Sequence, residues 1–545
     1  MKKVYALVFA ALCAATMISC SKETITEEGG RTDEGESIIE GGRIMTFTAG
    51  FDNTKVIRNG QGKSEWVKGD QIKIYYDQEN YVTATAQSSG ATSSFITDDK
   101  IPAGHNIFIA VYPASRTYNL TDAAEFKLEA EDNLEIDYTE AIPATFENAA
   151  ICSATATTLN PEFSFRNRCA IIKFTTSSEK MHSVTYISGT QKSYGVVGTQ
   201  AMGYKAGTYY IPVPAGEDLS FTLRLRNYEG WDYPALVKNL VTLEKSHIYN
   251  LGTIEDALFA EETEGSKNMR LLSFNILRGD LQGPTHLWTN RKNSCLAMIA
   301  ADAPDIFGLM ECNSTQRDDI LDAFPKYGRV GVAVNGDVYD YTKTSSNPIF
   351  YDGNKMLLED WGTYWLSDTP TTKGSYTWYY DKPRTLTWAR FKLKKDDTRF
   401  VYICVHLQDN KSDIKKEYEG QESYYGTQNR KKSVALIKQL IADNINPNGL
   451  PMILSGDLNA TFNSSELSNI YDILSLAADI PAPAATDKGN TYNNYIEGGT
   501  SRIDHIFCSG CNVGRYVVDR STYCGQKFIS DHWPVYADLE LSAPQ

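Results

Sequence analysis

The sequence predicts two domains of different construction, an all-β first half and a second half in which strands alternate with helices. From Ile44 to about Ile254, short runs alternate between apolar and polar residues and are separated by Gly, Pro, Asn and Asp. This pattern is typical of an antiparallel β-sandwich. From Met269 onward, apolar strands alternate with segments whose apolar residues recur at helical spacing, which indicates a layered α/β or α+β domain.

The composition is that of an ordinary folded protein. The chain has 545 residues, 42% of them hydrophobic and 22% charged, which is enough for roughly two to four domains with cores of their own. The net charge of −15 argues against a protein held on nucleic acid by bulk positive charge. Residues 267–545 contain 30 Lys and Arg against 33 Asp and Glu, so most of the acidic surplus lies in the first half.

The N-terminus predicts export. Residues 1–20 run from Lys2 and Lys3 through a short apolar stretch to small residues that end at Cys20, as in a secretory signal. Because Met17-Ile18-Ser19-Cys20 resembles a bacterial lipobox, we expect Cys20 to carry a lipid, although a plain signal peptide with an incidental Cys20 is the alternative. Residues 21–43 are polar and rich in Gly and acids, as in a flexible tether. We therefore expect a Gram-negative outer-membrane or cell-surface lipoprotein attached to the membrane through its lipid alone.

Cysteine spacing adds no cofactor site. Cys508-Ser-Gly-Cys511 has the form of half a zinc or redox site, but no second Cys or His pair at ligand spacing accompanies it. A disulfide or a pair of buried thiols is the preferred interpretation.

Several short motifs of the first half resemble the fimbrillin-like domain of bacterial surface lipoproteins. They are TFTAGF from Thr46, Glu65–Ile72, Val111-Tyr112-Pro113, Phe163-Ser164-Phe165 and Cys169–Ile172. The resemblance implies a fimbrillin-like β-sandwich at 44–254 with a role in display or adhesion, followed by a linker at 255–267. It names no ligand, and no catalytic constellation is visible in this range.

The second half is predicted to contain six strands and two helices. The strands are Arg270–Asn275, Asp305–Glu311, Pro348–Tyr351, Thr385–Lys392, Phe400–His406 and Pro451–Ser455, and the helices are Trp288–Ala301 and Thr427–Asp443. Polar residues follow directly on several of these strands, namely Asn275, Glu311, His406, Asp457 and Asn459. Each alone fits a turn, but strand ends are where sheet enzymes gather their chemistry, and together these residues predict a cleft.

Six motifs in order resemble the endonuclease/exonuclease/phosphatase superfamily. They are SFNI with Asn275, LMEC with Glu311, VHL with His406, SGDLNA with Asp457 and Asn459, RIDHIF with Asp504, and SDHWPV with Asp531 and His532. The resemblance implies a deoxyribonuclease-like α+β fold at 268–542, a four-layer α/β/β/α sandwich, and a metal-dependent phosphoester hydrolase.

The resemblance also implies a role for each motif residue. Glu311 with Asn275 would hold Mg²⁺ or Mn²⁺ through oxygen ligands, and Asp531 would join the metal shell. His532 would be the general base, with Asp504 fixing its tautomer. The remaining groups would orient water or donate to the phosphate, namely Asp457, Asn459 and His406.

Three further residues have weaker signals. Arg384 is a candidate substrate-binding cation, although a solvated strand-edge residue is as good an interpretation, and for Arg390 it is the better one. His505 should face away from Asp504 on a regular strand. In pancreatic-type nucleases an acid pairs with the His equivalent to His406. Here Ser345-Ser346-Asn347 stands at that place, so no carboxylate partner for His406 is evident.

The leading hypothesis is an exported, lipid-anchored, divalent-metal-dependent hydrolase of a small or lipid-type phosphoester, with no obligate protein partner evident. Aromatic residues at Trp378, Tyr379 and Tyr380 suit a sugar phosphate or a lipid head group, or serve only in packing. A surface endonuclease or exonuclease acting on DNA or RNA is the second hypothesis. A catalytically silent surface adhesin is the third.

Overall fold

The computed structural model describes residues 42–51, 65–120, 126–128, 134–198, 206–254, 268–281, 283–480 and 487–542. The predicted signal peptide with Cys20, nearly all of the tether and the linker at 255–267 lie outside the described residues. Among the described residues, no helix combines the length and apolar character needed to cross a membrane. All eight described cysteines are free thiols, including Cys508 and Cys511.

Strands dominate the first half of the sequence. They are β1 Thr46–Phe51, β2 Gln71–Tyr75, β3 Tyr81–Ala86, β4 Thr92–Thr97, β5 Ile107–Tyr112, β6 Tyr118–Leu120, β7 Leu134–Ile136, β8 Cys152–Thr157, β9 Glu162–Asn167, β10 Ala170–Thr176, β11 Met181–Ser188, β12 Gln191–Val196, β13 Gly207–Val213, β14 Gly216–Asn227, β15 Trp231–Asp232, β16 Leu236–Leu243 and β17 Ile248–Thr253. One short helix, α1, spans Phe146–Ala149.

The second half contains both strands and helices, as the sequence predicts. The strands are β18 Asn268–Asn275, β19 Ile306–Met310, β20 Tyr327–Val330, β21 Ile349–Asp352, β22 Met356–Trp365, β23 Thr385–Leu393, β24 Arg399–His406, β25 Met452–Asp457, β26 Ser475–Leu476, β27 Asp504–Ser509, β28 Cys511–Val518 and β29 Val535–Leu541. The helices are α2 Trp288–Asp302, α3 Ser314–Ala323, α4 Glu422–Leu440 and α5 Ser468–Tyr471.

Two compact units make up the chain. The first contains the described residues within Met1–Lys173, Tyr209–Glu217 and Thr242–Leu251, and the second contains those within Phe174–Thr208, Asp218–Val241 and Gly252–Gln545. The boundary between the two compact units therefore does not fall at the predicted linker between residues 254 and 268. Alternation along a strand shows which face is buried, but it does not show which partner the strand pairs with.

The first unit corrects the predicted sandwich. Its strands close into a barrel in the order β1-β4-β3-β2-β5-β8-β9, because β1 pairs antiparallel with β4 and parallel with β9. A barrel and a sandwich both bury every second residue, so the alternating pattern does not distinguish them. Trp66 lies in the barrel core without exposure and donates from Nε1 to the carbonyl of Ala49 at 2.8 Å.

Two large sheets form the second unit. One has the order β12-β11-β14-β15-β20-β21-β19-β18-β29-β28, with β16 paired to β14, and the other has the order β22-β23-β24-β25-β27-β26. Strands of the first half of the sequence thus extend a sheet of the second half. Asp232, at the end of β15, is fully buried and pairs with Arg329 on β20.

The two sheets pack face to face, and helices cover their outer faces. Helices α2 and α3 pack on the first sheet through Met298 and Ile320, and α4 packs in the main core through Val434 and Ile437. This is the predicted α/β/β/α layering. The sheets approach closely at Gly308, where an added Cβ would touch the hydroxyl of Tyr402 and lie 2.7 Å from Sγ of Cys404.

Candidate active site

Strand register brings the predicted polar residues to one edge of the two sheets. In the second sheet, His406 at the end of β24 lies opposite Asp457 at the end of β25, and Asp457 lies opposite Asp504 at the start of β27. In the first sheet, β18 runs parallel to β19, with Asn275 opposite Met310. Asn275, Glu311, His406, Asp457 and Asp504 therefore meet as the sequence predicts.

Local backbone chemistry explains the two most constrained positions. Gly456 has φ 153° and sits so close to β24 that a Cβ would lie 2.8 Å from the carbonyl carbon of Val405, so only glycine fits before Asp457. Glu311 has φ 63°, which is uncommon for a residue with a side chain. It turns the chain from β19 into α3, whose start is capped reciprocally by Asn313 and Gln316.

Five side chains form a continuous row, which we call the active-site row: Asp504, His532, Asp457, His406 and Arg384. The Oδ2 of Asp504 lies 2.8 Å from Nδ1 of His532. The Oδ2 of Asp457 lies 3.6 Å from Nε2 of His532 and 3.5 Å from Nε2 of His406. The row therefore runs from a carboxylate at one end to a guanidinium at the other.

The carboxylates around His532 decide its charge. Burial lowers the pKa of His532, but the charges of Asp504 and Asp457 outweigh burial and raise it to about 10. Burial and the neighbouring charge of Asp504 raise the pKa of Asp457 to about 7. The two buried carboxylates thus favour the protonated imidazole of His532, and burial beside Asp504 favours the protonated form of Asp457.

His406 has a cation beside it as well as a carboxylate. Nη1 of Arg384 lies 3.1 Å from both ring nitrogens of His406, and Nδ2 of Asn459 lies 3.3 Å from its Nε2. Burial, then the charge of Arg384, holds the pKa of His406 well below its usual value. Asn347 donates to the carbonyl of Thr385 at 2.8 Å, and the carboxylate beside His406 is that of Asp457.

The predicted metal ligands lie beside the row. Nδ2 of Asn275 donates to Oδ2 of Asp457 at 3.1 Å and lies 3.4 Å from Oε1 of Glu311. Ser530 donates to the carbonyl of Asn275 at 2.7 Å and to Oδ1 of Asp531 at 3.2 Å. The two carboxylates and the amide are hard oxygen donors, so this corner fits a small divalent cation. A carboxamide rotation would be needed to turn the Asn275 oxygen toward it, since that oxygen now accepts from the backbone N–H of Leu277 at 3.1 Å.

A second group of possible metal ligands lies within the active-site row. Ligand atoms of Asp457, Asp504 and His532 lie within 4.8 Å of one another, and all three residues are buried. The hydrogen bond between Asp504 and His532 already uses one atom of each, whereas Glu311 in the neighbouring corner is half-buried.

Some residues around the site were not predicted. Ser530 links Asp531 to Asn275, the ring of Tyr492 lies 5.0 Å from that of His532, and Gln408 accepts from Nε of Arg384 at 3.1 Å. Ser530 is the first residue of the SDHWPV motif and Gln408 directly follows the VHL motif, and these positions are the signal that would have found them. Tyr492 lies in a loop and has no such signal.

The structure shows a separate structural role for each of the residues with weaker sequence signals. Arg390 pairs with Asp360 at 2.9 Å, which is the predicted strand-edge role. His505 is fully buried and its Nε2 lies 2.9 Å from the carbonyl of Ala460, so it is structural as expected. Trp378 and Tyr380 are buried, which supports packing over substrate framing for these two.

Comparison with known proteins gives a family match for the second half of the chain. Residues 272–532 match the model of the endonuclease/exonuclease/phosphatase family. This part of the chain is an endonuclease/exonuclease/phosphatase domain. The matched range begins in β18 and ends on His532, so it spans the whole active-site row. Members of the family are phosphoester hydrolases of phosphatase or nuclease type and generally use divalent metals.

Relatives of the endonuclease/exonuclease/phosphatase domain occur in a virus and in bacteria. An uncharacterised protein of Acanthamoeba polyphaga mimivirus is 25% identical over 301 residues, which is 50% of this chain and 100% of the relative. The crystal structure of an endonuclease/exonuclease/phosphatase from Bacteroides vulgatus is 25% identical, with a TM-score of 0.43, and covers 50% of this chain and 99% of its own. The Bacteroides thetaiotaomicron mannosyl-6-phosphatase is 26% identical, with a TM-score of 0.43 and the same coverage of both chains.

Proposed function

We propose that the protein is an exported, lipid-anchored, divalent-metal-dependent hydrolase of a small or lipid-type phosphoester. The observation that carries the proposal is the meeting of the active-site row with the oxygen donors of Asn275 and Glu311. Hydrolysis of a phosphoester requires neutralisation of the phosphate, an activated water and a proton for the leaving oxygen. This edge of the sheets offers a group for each.

Glu311, Asn275 and Asp531 would hold the cation. When bound there, Mg²⁺ or Mn²⁺ supplies charge neutralisation on the phosphate. Asn459 and His406 donate to phosphate oxygens from the other side. In the reaction the water oxygen bonds to phosphorus, the ester P–O bond breaks, and the products are phosphate and the alcohol.

Proton transfer is better assigned to Asp457 than to His532 alone. An imidazolium cannot accept a proton, and the carboxylates of Asp504 and Asp457 raise the pKa of His532 to about 10. Asp457, whose pKa lies at about 7, takes the proton of the attacking water near neutral pH. His532, held by Asp504, donates to the developing charge on the phosphate and returns a proton to the leaving oxygen. This moves the predicted general base by one residue along the row.

Charge supports a compact substrate over a nucleic acid chain. The second half of the sequence is nearly neutral, with 30 Lys and Arg against 33 Asp and Glu over 267–545. Long nucleic acids are bound through several phosphate contacts at once, which need a basic surface. A single phosphate needs only the local site.

The N-terminal sequence supports the proposed location. The signal-like residues 1–20 ending at Cys20 and the polar residues that follow suit an anchored outer-membrane or cell-surface protein. The β barrel of the first unit, with its fimbrillin-like motifs, would act as a spacer or docking module.

A substrate panel tests the activity. Purified protein is incubated with p-nitrophenyl phosphate, phospholipids, sugar phosphates and plasmid DNA, each with Mg²⁺, with Mn²⁺ and with EDTA. We expect metal-dependent hydrolysis of small or lipid esters that exceeds cleavage of DNA. Preferred cleavage of DNA would support the nuclease alternative, and no hydrolysis of any ester would support the silent adhesin.

A further inference from the structure

Arg384 ends the active-site row with a fixed positive charge. It stands directly before β23, and its side chain is 20% exposed, so a ligand can reach it. Its Nη1 is equally distant, at 3.1 Å, from both ring nitrogens of His406. A donor at equal distance from two ring nitrogens cannot point along the lone pair of either, so this contact leaves much of its hydrogen-bonding capacity unused.

The guanidinium is held from behind by neutral groups. Its Nε donates to Oε1 of Gln408 at 3.1 Å. Gln408 is itself fixed, because its Nε2 donates to the carbonyl of Ser412 at 2.9 Å and its own carbonyl accepts from Arg430 at 2.8 Å. Arg384 is therefore positioned without being neutralised by Gln408.

Its pairing with a carboxylate is weak. Oδ2 of Asp409 lies 3.5 Å from Nη2 of Arg384, at the outer limit of a hydrogen bond. The other oxygen of Asp409 accepts from the backbone N–H groups of Lys411 and Ser412 at 2.7 and 2.6 Å. By contrast, Nη2 of Arg390 on β23 lies 2.9 Å from Oδ2 of Asp360. The charge of Arg384 thus remains available to a ligand.

We propose that Arg384 makes the site selective for phosphomonoesters over phosphodiesters, an inference that rests on the proposed hydrolase function. A monoester carries a second negative charge and a third terminal oxygen, and a planar guanidinium recognises such an oxygen pair through its fork. A diester has one charge and places a neutral alkoxy group where the third oxygen would be. It gains little from Arg384 and leaves that cation without a partner.

A matched pair of esters tests the selectivity. The pair is p-nitrophenyl phosphate and methyl p-nitrophenyl phosphate, which share a leaving group and differ in one charge. We expect wild-type kcat/KM for the monoester to exceed that for the diester at least about tenfold. Arg384→Gln should lower the monoester value about 10- to 100-fold, as expected for one charge-assisted hydrogen bond, and the diester value less than about threefold.

Two variants and one inhibitor complete the test. Arg390→Gln is the matched control and should leave the ratio of the two values unchanged. Arg384→Lys keeps the charge without the fork and should give an intermediate ratio. Inorganic phosphate should inhibit Arg384→Gln about 10-fold less strongly than the wild type, while dimethyl phosphate inhibits both equally, a readout that does not require turnover.

The outcomes distinguish the two proposals. A wild type that prefers the diester, or an Arg384→Gln variant that loses both activities equally while melting like the wild type, would overturn the selectivity proposal and leave the hydrolase function standing. A wild type that hydrolyses neither ester with Mg²⁺ or Mn²⁺ would overturn the proposed function and this inference with it.

Discussion

Asp232 and Arg329 form a fully buried ion pair, in which Nε of Arg329 donates to Oδ2 of Asp232 at 2.7 Å. Asp232 belongs to β15, from the first half of the sequence, and Arg329 to β20, from the second. The charge of Arg226 also acts on Asp232, and burial is outweighed by these cations, which hold the Asp232 pKa far below its usual value. Strands before residue 254 are thus bound electrostatically into the unit that carries the active site.

Asp232→Ala should lower the free energy of unfolding by roughly 3–5 kcal/mol, because it leaves a buried guanidinium without a counter-ion. Urea unfolding followed by tryptophan fluorescence measures the change. Asp397→Ala, at an exposed ion pair with Lys392, is the control and should change stability by less than about 0.5 kcal/mol. Equal effects of the two substitutions would contradict the structural role of Asp232.

A chain that begins at residue 268 lacks Asp232 and should also have a lower free energy of unfolding.

Asp457→Asn and His532→Gln should each lower kcat by about 10²- to 10⁴-fold, as expected when a group that handles protons is removed. Both variants should remain folded.

The melting temperature of Asp457→Asn gives a second test. Burial and the charge of Asp504 raise the pKa of Asp457 to about 7, so above that pH the ionised carboxylate destabilises the folded wild type. Without metal at pH 8, Asp457→Asn should therefore melt at a temperature no lower than that of the wild type. Steady-state kinetics and thermal melts measure both effects. Asp479→Asn, on a surface ion pair with Lys488, should keep full activity, and activity retained in Asp457→Asn would refute its proposed role.

Chelation by EDTA should abolish hydrolysis, and added Mg²⁺ or Mn²⁺ should restore it. A cation that binds only the folded state also raises the melting temperature. That rise should be lost in Glu311→Gln, which removes a charged ligand, and kept in Glu359→Gln, whose carboxylate pairs with Arg399 at 2.9 Å. The thermal shift is read without substrate, so it tests the ligand set separately from catalysis. An unchanged shift in Glu311→Gln would place the cation elsewhere.

Acid should destabilise the fold through His505. Burial lowers the pKa of His505 from 6.5 to about 4, so the unfolded chain binds this proton first, and stability falls as the pH drops from 6.5 toward 4. The loss attributable to this residue is about 3 kcal/mol. Urea midpoints between pH 7.5 and 4 should fall less steeply in His505→Leu than in the wild type. His247→Leu, which removes an exposed imidazole, should keep the wild-type slope, and identical slopes in all three proteins would contradict the prediction.

Cys20→Ser should release the protein from membranes into the soluble exported fraction, because the lipid is the proposed attachment. Fractionation and incorporation of labelled palmitate measure this in a Gram-negative host. Cys13→Ser, within the proposed signal peptide, is the control and should leave the protein membrane-bound. A Cys20→Ser protein that stays on the membrane would refute the anchor.

The sequence predicted those features of the structure that depend on residues close together in the chain. The predicted strands of the second half and the helix at Trp288 agree with the structure to within two residues, since alternation and helical spacing report local burial. The predicted helix Thr427–Asp443 instead spans Glu422–Leu440. His406, Asp457 and Asp504 met because the ends of adjacent strands must lie together in a sheet. The barrel was not predicted, because the pairing of β1 with both β4 and β9 is decided over long distances in the chain.

Charge at the site was also beyond the sequence. The interpretation of His532 as general base starts from the usual pKa of an imidazole, which two buried carboxylates raise in the folded protein. Arg384 could not be separated from a solvated arginine until its weak carboxylate contact was known. Both depend on three-dimensional proximity between residues that lie 25 to 75 positions apart in the chain.

The close approach of the two sheets at Gly308 sets the dimensions of the catalytic centre. One sheet supplies Asn275 and Glu311, and the other supplies His406 and Asp457, so the hydrogen bond from Asn275 to Asp457 at 3.1 Å bridges the gap between layers. A methyl group at Gly308 would act as a wedge against Tyr402 and Cys404, separating the metal-binding side from the proton-handling side. The spacing between the two sides of the proposed site is thus controlled by Gly308 in the interior of β19, the strand that Glu311 directly follows.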